Sequence, residues 1–188
     1  MNLARVEGTG GFTLLELMVA MVIVAILVAL TVSATQVGRA RGQQVGCVAN
    51  LRQIGVALQG YLQDHQGELP PMKAMRASTT DEGPTLDTVL ADYAGGTEVF
   101  RCPADRGKIW ERSGTSYWWY ETVTLKATGE HNYRSITLES FFLGTSAPSQ
   151  IPLVLDKEGF HPAPNRINAL YADGRAGPLV VQNPNVTP

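Results

Sequence analysis

The chain has 188 residues, of which 15 are Lys or Arg and 17 are Asp or Glu, so its formal net charge is −2. This balance excludes a general basic surface for nucleic acid, and we expect no nucleic-acid partner. The length leaves about 120 residues for one small globular domain once an apolar N-terminal segment and the helix that follows it are set aside.

The apolar segment lies close to the N-terminus. Residues 17–30 are fourteen consecutive apolar residues, and Glu16 is the only ionisable side chain between Phe12 and Val32. As a helix, residues 12–32 would be roughly 30 Å long, the thickness of the hydrocarbon core of a bilayer. The segment is therefore predicted to cross a membrane once. An unpaired carboxylate near the middle of a bilayer costs about 2.5–3.5 kcal/mol, so Glu16 needs an explanation.

The sequence Gly-Phe-Thr-Leu-Leu-Glu, from Gly11 to Glu16, opens this segment after a short polar leader. It resembles the class III leader junction of type IV pilins and type II secretion pseudopilins. The resemblance implies that a prepilin peptidase cleaves between Gly11 and Phe12, that the amino group of Phe12 is N-methylated, and that the helix is retained. It also implies that Glu16 pairs with the amine of a neighbouring subunit. A plain membrane anchor, with Glu16 at the level of the headgroups, is the alternative.

One helix is predicted from about Thr13 to about His65, because an amphipathic pattern follows the apolar one without a proline. Apolar residues at alternating steps of four and three lie on one helical face: Cys47, Leu51, Ile54, Leu58 and Tyr61. A left-handed cap at Gly67 and the prolines after it would stop the helix. This Y-x-x-D-x-x-G-x-x-P ending, from Tyr61 to Pro70, resembles that of the major pseudopilin of type II secretion systems.

Glycines are concentrated in the same helix: Gly38, Gly42, Gly46, Gly55 and Gly60. Each costs about 1 kcal/mol relative to alanine in a helix interior. The first three are spaced by four and share a face, so close approach of neighbouring helices would compensate for that cost. A helix that bends at this point is the alternative.

The remaining chain predicts a short helix and a small antiparallel sheet. Residues 72–84 have no periodicity and predict an exposed loop, and residues 86–93 fit a short helix ended by Gly95-Gly96. Strands are predicted at residues 117–125, 134–138 and 151–155, the last at a sheet edge because it contains Pro152. A hairpin is predicted from residues 167–171 and 178–181 around Asp173-Gly174.

The predicted fold class is α+β, a type IV pilin-like arrangement in which a long N-terminal helix packs on a small antiparallel β-sheet domain. The predicted parts of the chain are a leader peptide (1–11), the transmembrane half of the helix (12–32), its amphipathic half (33–66) and a C-terminal globular β domain (67–188).

Two cysteines, Cys47 and Cys102, are candidates for a disulfide. By the resemblance, everything after Val32 lies outside the cytoplasmic membrane, where disulfides are permitted. A bridge would stabilise the fold by roughly 4 kcal/mol in the chain-entropy model. Two separate buried thiols are the alternative. The segment Phe100-Arg101-Cys102-Pro103-Ala104-Asp105 resembles the F-x-C-P-x-D turn of pilin-like proteins, which brings the chain back beside the helix.

No catalytic motif is present in the sequence, and no enzymatic activity is expected. The histidines, His65, His131 and His161, have no local metal-binding spacing, and C-x-x-C, G-x-S-x-G and Walker motifs are absent. Turn and surface roles are expected for Asp156, His161 and Asp173 rather than a catalytic one. Major pseudopilins bind calcium, but no loop here matches such a site, so neither a metal ligand nor a cofactor is predicted.

Four consecutive aromatic residues occupy positions 117–120. Alternation along a strand predicts that one pair fills the core while the other covers the sheet edge. A surface for a sugar or a protein partner is the alternative.

The resemblance implies a structural subunit of a type II secretion pseudopilus or a type IV pilus-like filament. Such a subunit crosses the inner membrane once, with its C-terminal domain in the periplasm. Its partners would be the prepilin peptidase, other copies of itself and related pilins, and the inner-membrane assembly machinery. The alternative is a membrane-anchored periplasmic ligand-binding protein that does not polymerise.

Overall fold

The computed structural model describes residues 11–120, 125–126, 133–134, 148–157, 159–162 and 166–180. The chain divides into two compact units, residues 1–39 and residues 40–188. Helix α1 (Leu14–Asp64) begins in the first unit and ends in the second. The predicted helix of residues 13–65 is thus confirmed to within one residue at each end.

The first unit presents its apolar side chains to the surroundings. Large apolar side chains between Phe12 and Leu30 are exposed, from 51% for Val19 to 89% for Phe12. By length and composition α1 is able to cross a membrane once. Lipid or neighbouring protein must cover this surface, because so large an exposed apolar area is unfavourable in water.

In the second unit, one face of α1 packs into the core. The predicted apolar face is buried at Cys47, Leu51, Ile54 and Leu58, and half-buried at Tyr61. The polar residues between these positions remain exposed: Arg52, Gln53, Gln59 and Gln63. The periodicity of the sequence therefore identified the face of α1 that the globular domain covers.

The glycines of α1 fall into two groups. A Cβ atom would lie 3.0 Å from the side chain of Pro103 at Gly46, 2.9 Å from that of Leu170 at Gly55, and 3.0 Å from that of Tyr93 at Gly60. At Gly38 and Gly42 it would meet nothing within 4 Å. Gly46, Gly55 and Gly60 therefore allow the globular domain to approach α1 closely.

Helix α1 ends with a left-handed turn. Gln66 and Gly67 have φ values of 55° and 80°, and the amide of Gly67 donates to the carbonyl of Leu62 over 2.8 Å. The predicted left-handed cap at Gly67 is confirmed, and this bond satisfies one of the carbonyls that a helix end leaves without a partner.

The segment of residues 72–84 has no helix or strand, as predicted; residues 77–84 are mostly exposed, whereas residues 72–76 are buried or half-buried. Met72 is fully buried, and Lys73 donates to Asp81 over 2.7 Å. This hydrogen bond lowers the pKa of Asp81 below its usual value. Arg76 forms an ion pair with Asp87 at the start of the next helix. The pair of Lys73 and Asp81 links two parts of the loop, whereas Met72 and the ion pair of Arg76 with Asp87 hold the loop on the domain.

Two short helices, α2 (Leu86–Val89) and α3 (Ala91–Ala94), take the place of the single predicted helix. They meet at Leu90, and Gly95 ends the second with a φ of 70°. A 3₁₀ turn (Glu98–Phe100) and helix α4 (Ile109–Ser113) follow. Asp105 binds the start of α4, because its carboxylate accepts from the amides of Ile109 (3.1 Å) and Trp110 (2.9 Å).

The main sheet contains the strands β1 (Tyr117–Trp119), β4 (Pro152–Asp156), β5 (Asn168–Tyr171) and β6 (Ala176–Pro178). Within the described part of the chain these four strands are antiparallel and lie in the order β1-β4-β5-β6. A second pair consists of β2 (Leu125–Lys126) and β3 (Tyr133–Arg134). The antiparallel sheet beside a long helix confirms the predicted α+β class.

The prediction of an edge position for the strand that contains Pro152 is wrong, because β4 lies between β1 and β5. Pro152 is the first residue of β4, and the register with β5 shifts between Pro152 and Val154. A proline is tolerated at the start of a strand or at a bulge, since no ladder hydrogen bond is needed from it there. Val154 and Leu155 pair with both β1 and β5.

The other strand boundaries also differ from the prediction. Strand β1 ends at Trp119 rather than at Leu125, and residues 121–124 lie outside the described part of the chain, as do residues 135–138. The hairpin turn around Asp173-Gly174 is present, but its second strand begins at Ala176 instead of Pro178. The amide of Gly174 donates to Tyr171 over 2.9 Å, which closes this turn.

Candidate functional site

Glu16 lies in the first turn of α1 and is bound to Thr13. The amide and the hydroxyl of Thr13 each donate to Oε2 of Glu16 over 2.9 Å, and the amide of Glu16 donates to the hydroxyl of Thr13 over 3.3 Å. This reciprocal arrangement is a capping box, which satisfies donors that the start of a helix otherwise leaves without partners. The carboxylate is thus fixed against the helix that carries it.

The capping box occupies one oxygen of the carboxylate. Among the described residues, none donates to Oε1 of Glu16. A carboxylate accepts through both oxygens, so Oε1 keeps its capacity for a cationic donor from another molecule. Gly11 and Phe12 lie immediately before the helix, and the side chain of Phe12 is exposed. The cleavage and methylation expected at these two residues remain predictions.

Sequence reasoning missed the role of Thr13. The signal was present, because Thr at the N-cap and Glu three residues later before an apolar run is the pattern of a capping box. Glu16 therefore has a local structural role in addition to the charge pairing that the resemblance implies. Any experiment on Glu16 has to separate the two.

Cys47 and Cys102 are joined by a disulfide bond, with their Cα atoms 5.0 Å apart. Two side-chain amides of α1 also hydrogen-bond to the residues on either side of Cys102. Gln43 Nε2 donates to the carbonyl of Pro103 (3.1 Å), and Asn50 Nδ2 donates to the carbonyl of Arg101 (2.7 Å). The covalent bond and these two hydrogen bonds attach the segment of residues 101–103 to α1.

A buried polar network occupies the end of β4. Oδ2 of Asp156 lies 2.7 Å from His161 Nε2, and neither side chain is exposed to solvent. Asn168 donates to Asp156 twice, through its amide and through Nδ2, each over 2.7 Å. The surface roles expected for Asp156 and His161 are therefore wrong, since both are buried. Sequence reasoning missed Asn168, because no local pattern links residues 12 positions apart on two strands.

Asp173 and His65 lie outside this buried network. Asp173 is exposed in the β5–β6 turn and accepts from the amide of Arg175 over 3.0 Å. His65 is exposed at the end of α1 and stacks on Tyr61 at a ring distance of 3.8 Å. His131 lies outside the described residues. Asp173 has the turn role that was predicted for it.

The aromatic run alternates as the strand requires. Tyr117 and Trp119 are fully buried, whereas Trp118 is 41% exposed and Tyr120 is half-buried. Burial raises the pKa of Tyr117 far above its usual value. One pair therefore fills the core, as predicted.

A comparison with protein families gives one match, and it falls on the N-terminal segment. Residues 8–32 match the model described as the prokaryotic N-terminal methylation motif. No curated protein and no solved structure matches the chain. Proteins of this motif family are structural rather than enzymatic. Residues 8–32, which include the apolar start of α1 and the Thr13–Glu16 capping box, thus carry the prepilin-type signal of type IV pilins and pseudopilins.

Proposed function

We propose that the chain is a structural subunit of a type II secretion pseudopilus or a type IV pilus-like filament. A prepilin peptidase removes residues 1–11, and the new amino group of Phe12 is methylated. The subunit then polymerises through α1. The observation that carries the proposal is the methylation motif at residues 8–32, in which a single carboxylate, Glu16, stands on an otherwise apolar helix.

The charges of the mature N-terminus support assembly through Glu16. Cleavage after Gly11 leaves a cationic amine four residues before the carboxylate. Two opposite charges in an apolar environment are tolerated when each compensates the other and hydrogen bonds satisfy both. Because Thr13 already occupies Oε2, we propose that Oε1 accepts the amine of Phe12 from a neighbouring copy. That pairing would fix the axial position of one subunit against the next.

The apolar surface supports the same function. The residues of α1 before Val32 are uncovered in the single chain, and a bundle of such helices would cover them within a filament as lipid does before assembly. We propose a single-pass location in the inner membrane, with residues after the span in the periplasm, and the inner-membrane assembly machinery as a partner. The Tyr61-to-Pro70 ending favours a secretion pseudopilus.

A pair of substitutions tests whether Glu16 acts through its charge or only through its helix cap. Glu16→Gln keeps an acceptor for Thr13 but removes the negative charge. Thr13→Ala removes the side chain that caps the helix but keeps the charge. We expect Glu16→Gln to abolish filaments and Thr13→Ala to leave them largely intact. Filament formation would be measured by shearing and by cysteine cross-linking between subunits in cells that produce the full secretion or pilus machinery.

Intact mass spectrometry of the membrane fraction supplies the control. Each variant should lack residues 1–11 and retain membrane insertion, so that a loss of filaments reflects assembly rather than failed processing. A normal yield of filaments from Glu16→Gln would refute the charge pairing. Recovery of mature protein that still carries residues 1–11 would refute the proposed function as a whole and would favour the membrane-anchored ligand-binding protein.

A further inference from the structure

A buried cluster of metal-ligating side chains lies where α1, the segment of residues 101–103 and the loop after β4 meet. Cys47, Cys102 and His161 are 0%, 1% and 4% exposed. The two sulfur atoms are joined in the disulfide bond, and a ring nitrogen of His161 lies within 4.8 Å of both. Once the bridge is reduced, two thiolates and an imidazole would face one another, which is a donor set typical of zinc.

The imidazole of His161 is oriented as a ligand. A carboxylate only accepts hydrogen bonds, so the 2.7 Å contact places the ring hydrogen on Nε2, facing Asp156. The other nitrogen, Nδ1, is buried and has no hydrogen-bond partner among the described residues. In the neutral ring Nδ1 keeps its lone pair. Metal-binding histidines are commonly held by a carboxylate in this way.

Asn168 holds Asp156 in turn. Its amide binds Oδ1 and its side chain binds Oδ2, each over 2.7 Å, so the carboxylate cannot rotate without losing both bonds. A hydrophobic core is stable without such a series of buried, hydrogen-bonded polar groups. Nδ1 of His161 is buried without a hydrogen-bond partner among the described residues, and this costs free energy. A ligand at Nδ1 would complete the network.

We propose that the dithiol form of this protein binds one zinc-class divalent cation through Cys47 Sγ, Cys102 Sγ and His161 Nδ1, with Asp156 as the residue that positions the imidazole. Every chain is synthesised in this dithiol form. Both thiols lose their protons on binding, so two protons are released for each cation, and the fourth coordination position remains open.

The disulfide and the metal site exclude each other, because the bridge uses both sulfurs. Oxidation of the loaded form by a small disulfide joins Cys47 to Cys102, frees the cation and reduces the oxidant to two thiolates, which take up two protons from water. In a tetrahedral zinc site, sulfur and nitrogen ligands lie about 3.5–3.8 Å apart, given zinc bonds of 2.0–2.3 Å. In the disulfide form these atoms lie within 4.8 Å of one another and the cysteine Cα atoms are 5.0 Å apart, so on reduction the sulfurs have to separate and the imidazole has to approach them.

Burial determines how the cation enters. Since all three ligands are inaccessible in the folded domain, metal binding has to be coupled to folding rather than follow it. We therefore expect slow exchange of bound metal and a reduced chain whose folding depends on the cation.

The test uses the full chain in detergent, unfolded with a phosphine reductant and refolded without oxygen in Co²⁺ or Zn²⁺ with excess Mg²⁺. We expect about one Co²⁺ per chain, with the intense visible absorption of tetrahedral thiolate coordination. The same chain oxidised to the disulfide before refolding should retain less than about a tenth of an equivalent. A small disulfide should release the metal from the loaded form in urea sufficient to open the domain, and only slowly without urea, because the ligands are inaccessible in the folded state.

Variants identify the ligands. His161→Ala should weaken Co²⁺ binding at least tenfold, and Asp156→Asn, which keeps the shape of the side chain, should weaken it about 10–100-fold. His65→Ala is the matched control, because His65 is exposed at the end of α1. Unchanged affinity in His161→Ala overturns the proposal. So does a reduced wild-type chain whose far-UV circular dichroism and metal content are the same with Co²⁺ as with Mg²⁺ alone.

Discussion

Gly55 of α1 lies directly against Leu170 of β5, so closely that a Cβ atom at position 55 would stand 2.9 Å from Cδ1 of Leu170. Leu170 is only 1% exposed and belongs to the hydrophobic core, so it has little room to move away. This contact brings the sheet so close to the helix that a side chain at position 55 would have to displace Leu170.

Gly55→Ala is therefore expected to destabilise the domain. Overpacking costs about 1–3 kcal/mol, and alanine regains about 1 kcal/mol of helix propensity, so we expect a net loss of about 1 kcal/mol. Gly42→Ala is the matched control on the same helix. Its Cβ would meet nothing within 4 Å, so a gain of up to about 1 kcal/mol is expected. Urea unfolding measures both, and equal stability of the two variants would contradict the packing argument.

Asp105 is expected to be the most sensitive acidic residue of the α4 region. It accepts from the amides of Ile109 and Trp110 and from the hydroxyl of Ser116 over 2.8 Å. Asp105→Ala removes three bonds at once, and we expect a loss of about 1–3 kcal/mol in the free energy of unfolding. Asp92→Ala, at an exposed position of α3, should change it by less than about 0.5 kcal/mol. Similar thermal midpoints for both variants would show that the carboxylate of Asp105 does not hold the turn.

The adjacent tryptophans of β1 provide a second matched pair. Trp119 is 1% exposed and Trp118 is 41% exposed. Trp119→Ala should cost about 3–5 kcal/mol, because it leaves a large cavity in the core. Trp118→Ala should cost much less, and it leaves the core intact for a test of partner binding at the exposed ring. Chemical unfolding followed by circular dichroism distinguishes the two, and a Trp118→Ala variant as unstable as Trp119→Ala would be inconsistent with the strand's orientation.

Tyr117 should make the domain sensitive to alkaline pH. Burial raises the pKa of Tyr117 in the folded chain, whereas in the unfolded chain the hydroxyl ionises near pH 10. Above that pH the unfolded state binds fewer protons than the folded one, so stability falls as the pH rises, by up to about 1.4 kcal/mol per pH unit. Below pH 10 the stabilisation that Tyr117 contributes to the folded state is fully present.

Tyr117→Phe is expected to flatten this alkaline slope without removing it. The pKa values of Tyr61 and Tyr93 are also raised, in both cases mainly by burial. These two tyrosines therefore retain part of the pH dependence of stability in the variant. The measurement is the free energy of unfolding between pH 8 and pH 11. A slope above pH 10 that is the same for the wild-type and Tyr117→Phe chains would rule out Tyr117 as its source.

Features that depend on neighbouring residues in the sequence were predictable. The extent of α1 and its buried face follow from a period of 3.6 residues, and the stop at Gly67 follows from backbone chemistry. The capping box at Thr13 was equally local and was overlooked. The predicted boundaries of the leader, the span and the globular domain remain predictions.

Features that depend on the fold were not predictable from local patterns. The position of Pro152 in an inner strand depends on a bulge against β5, which the sequence of β4 alone does not reveal. The network of Asp156, His161 and Asn168 forms only when two strands and a loop are brought together. The spacing of these residues along the chain therefore gave no reason to group them, and surface roles were expected instead.

Among the residues of α1 whose burial is described, Cys47 is the first that is buried, and the described hydrophobic core is formed from residues of the second unit. A recombinant fragment beginning at Ala40 would therefore omit the exposed apolar surface of residues 12–30 and lose no side chain of that core. Such a water-soluble fragment would make calorimetry and crystallisation of the globular portion practicable without detergent.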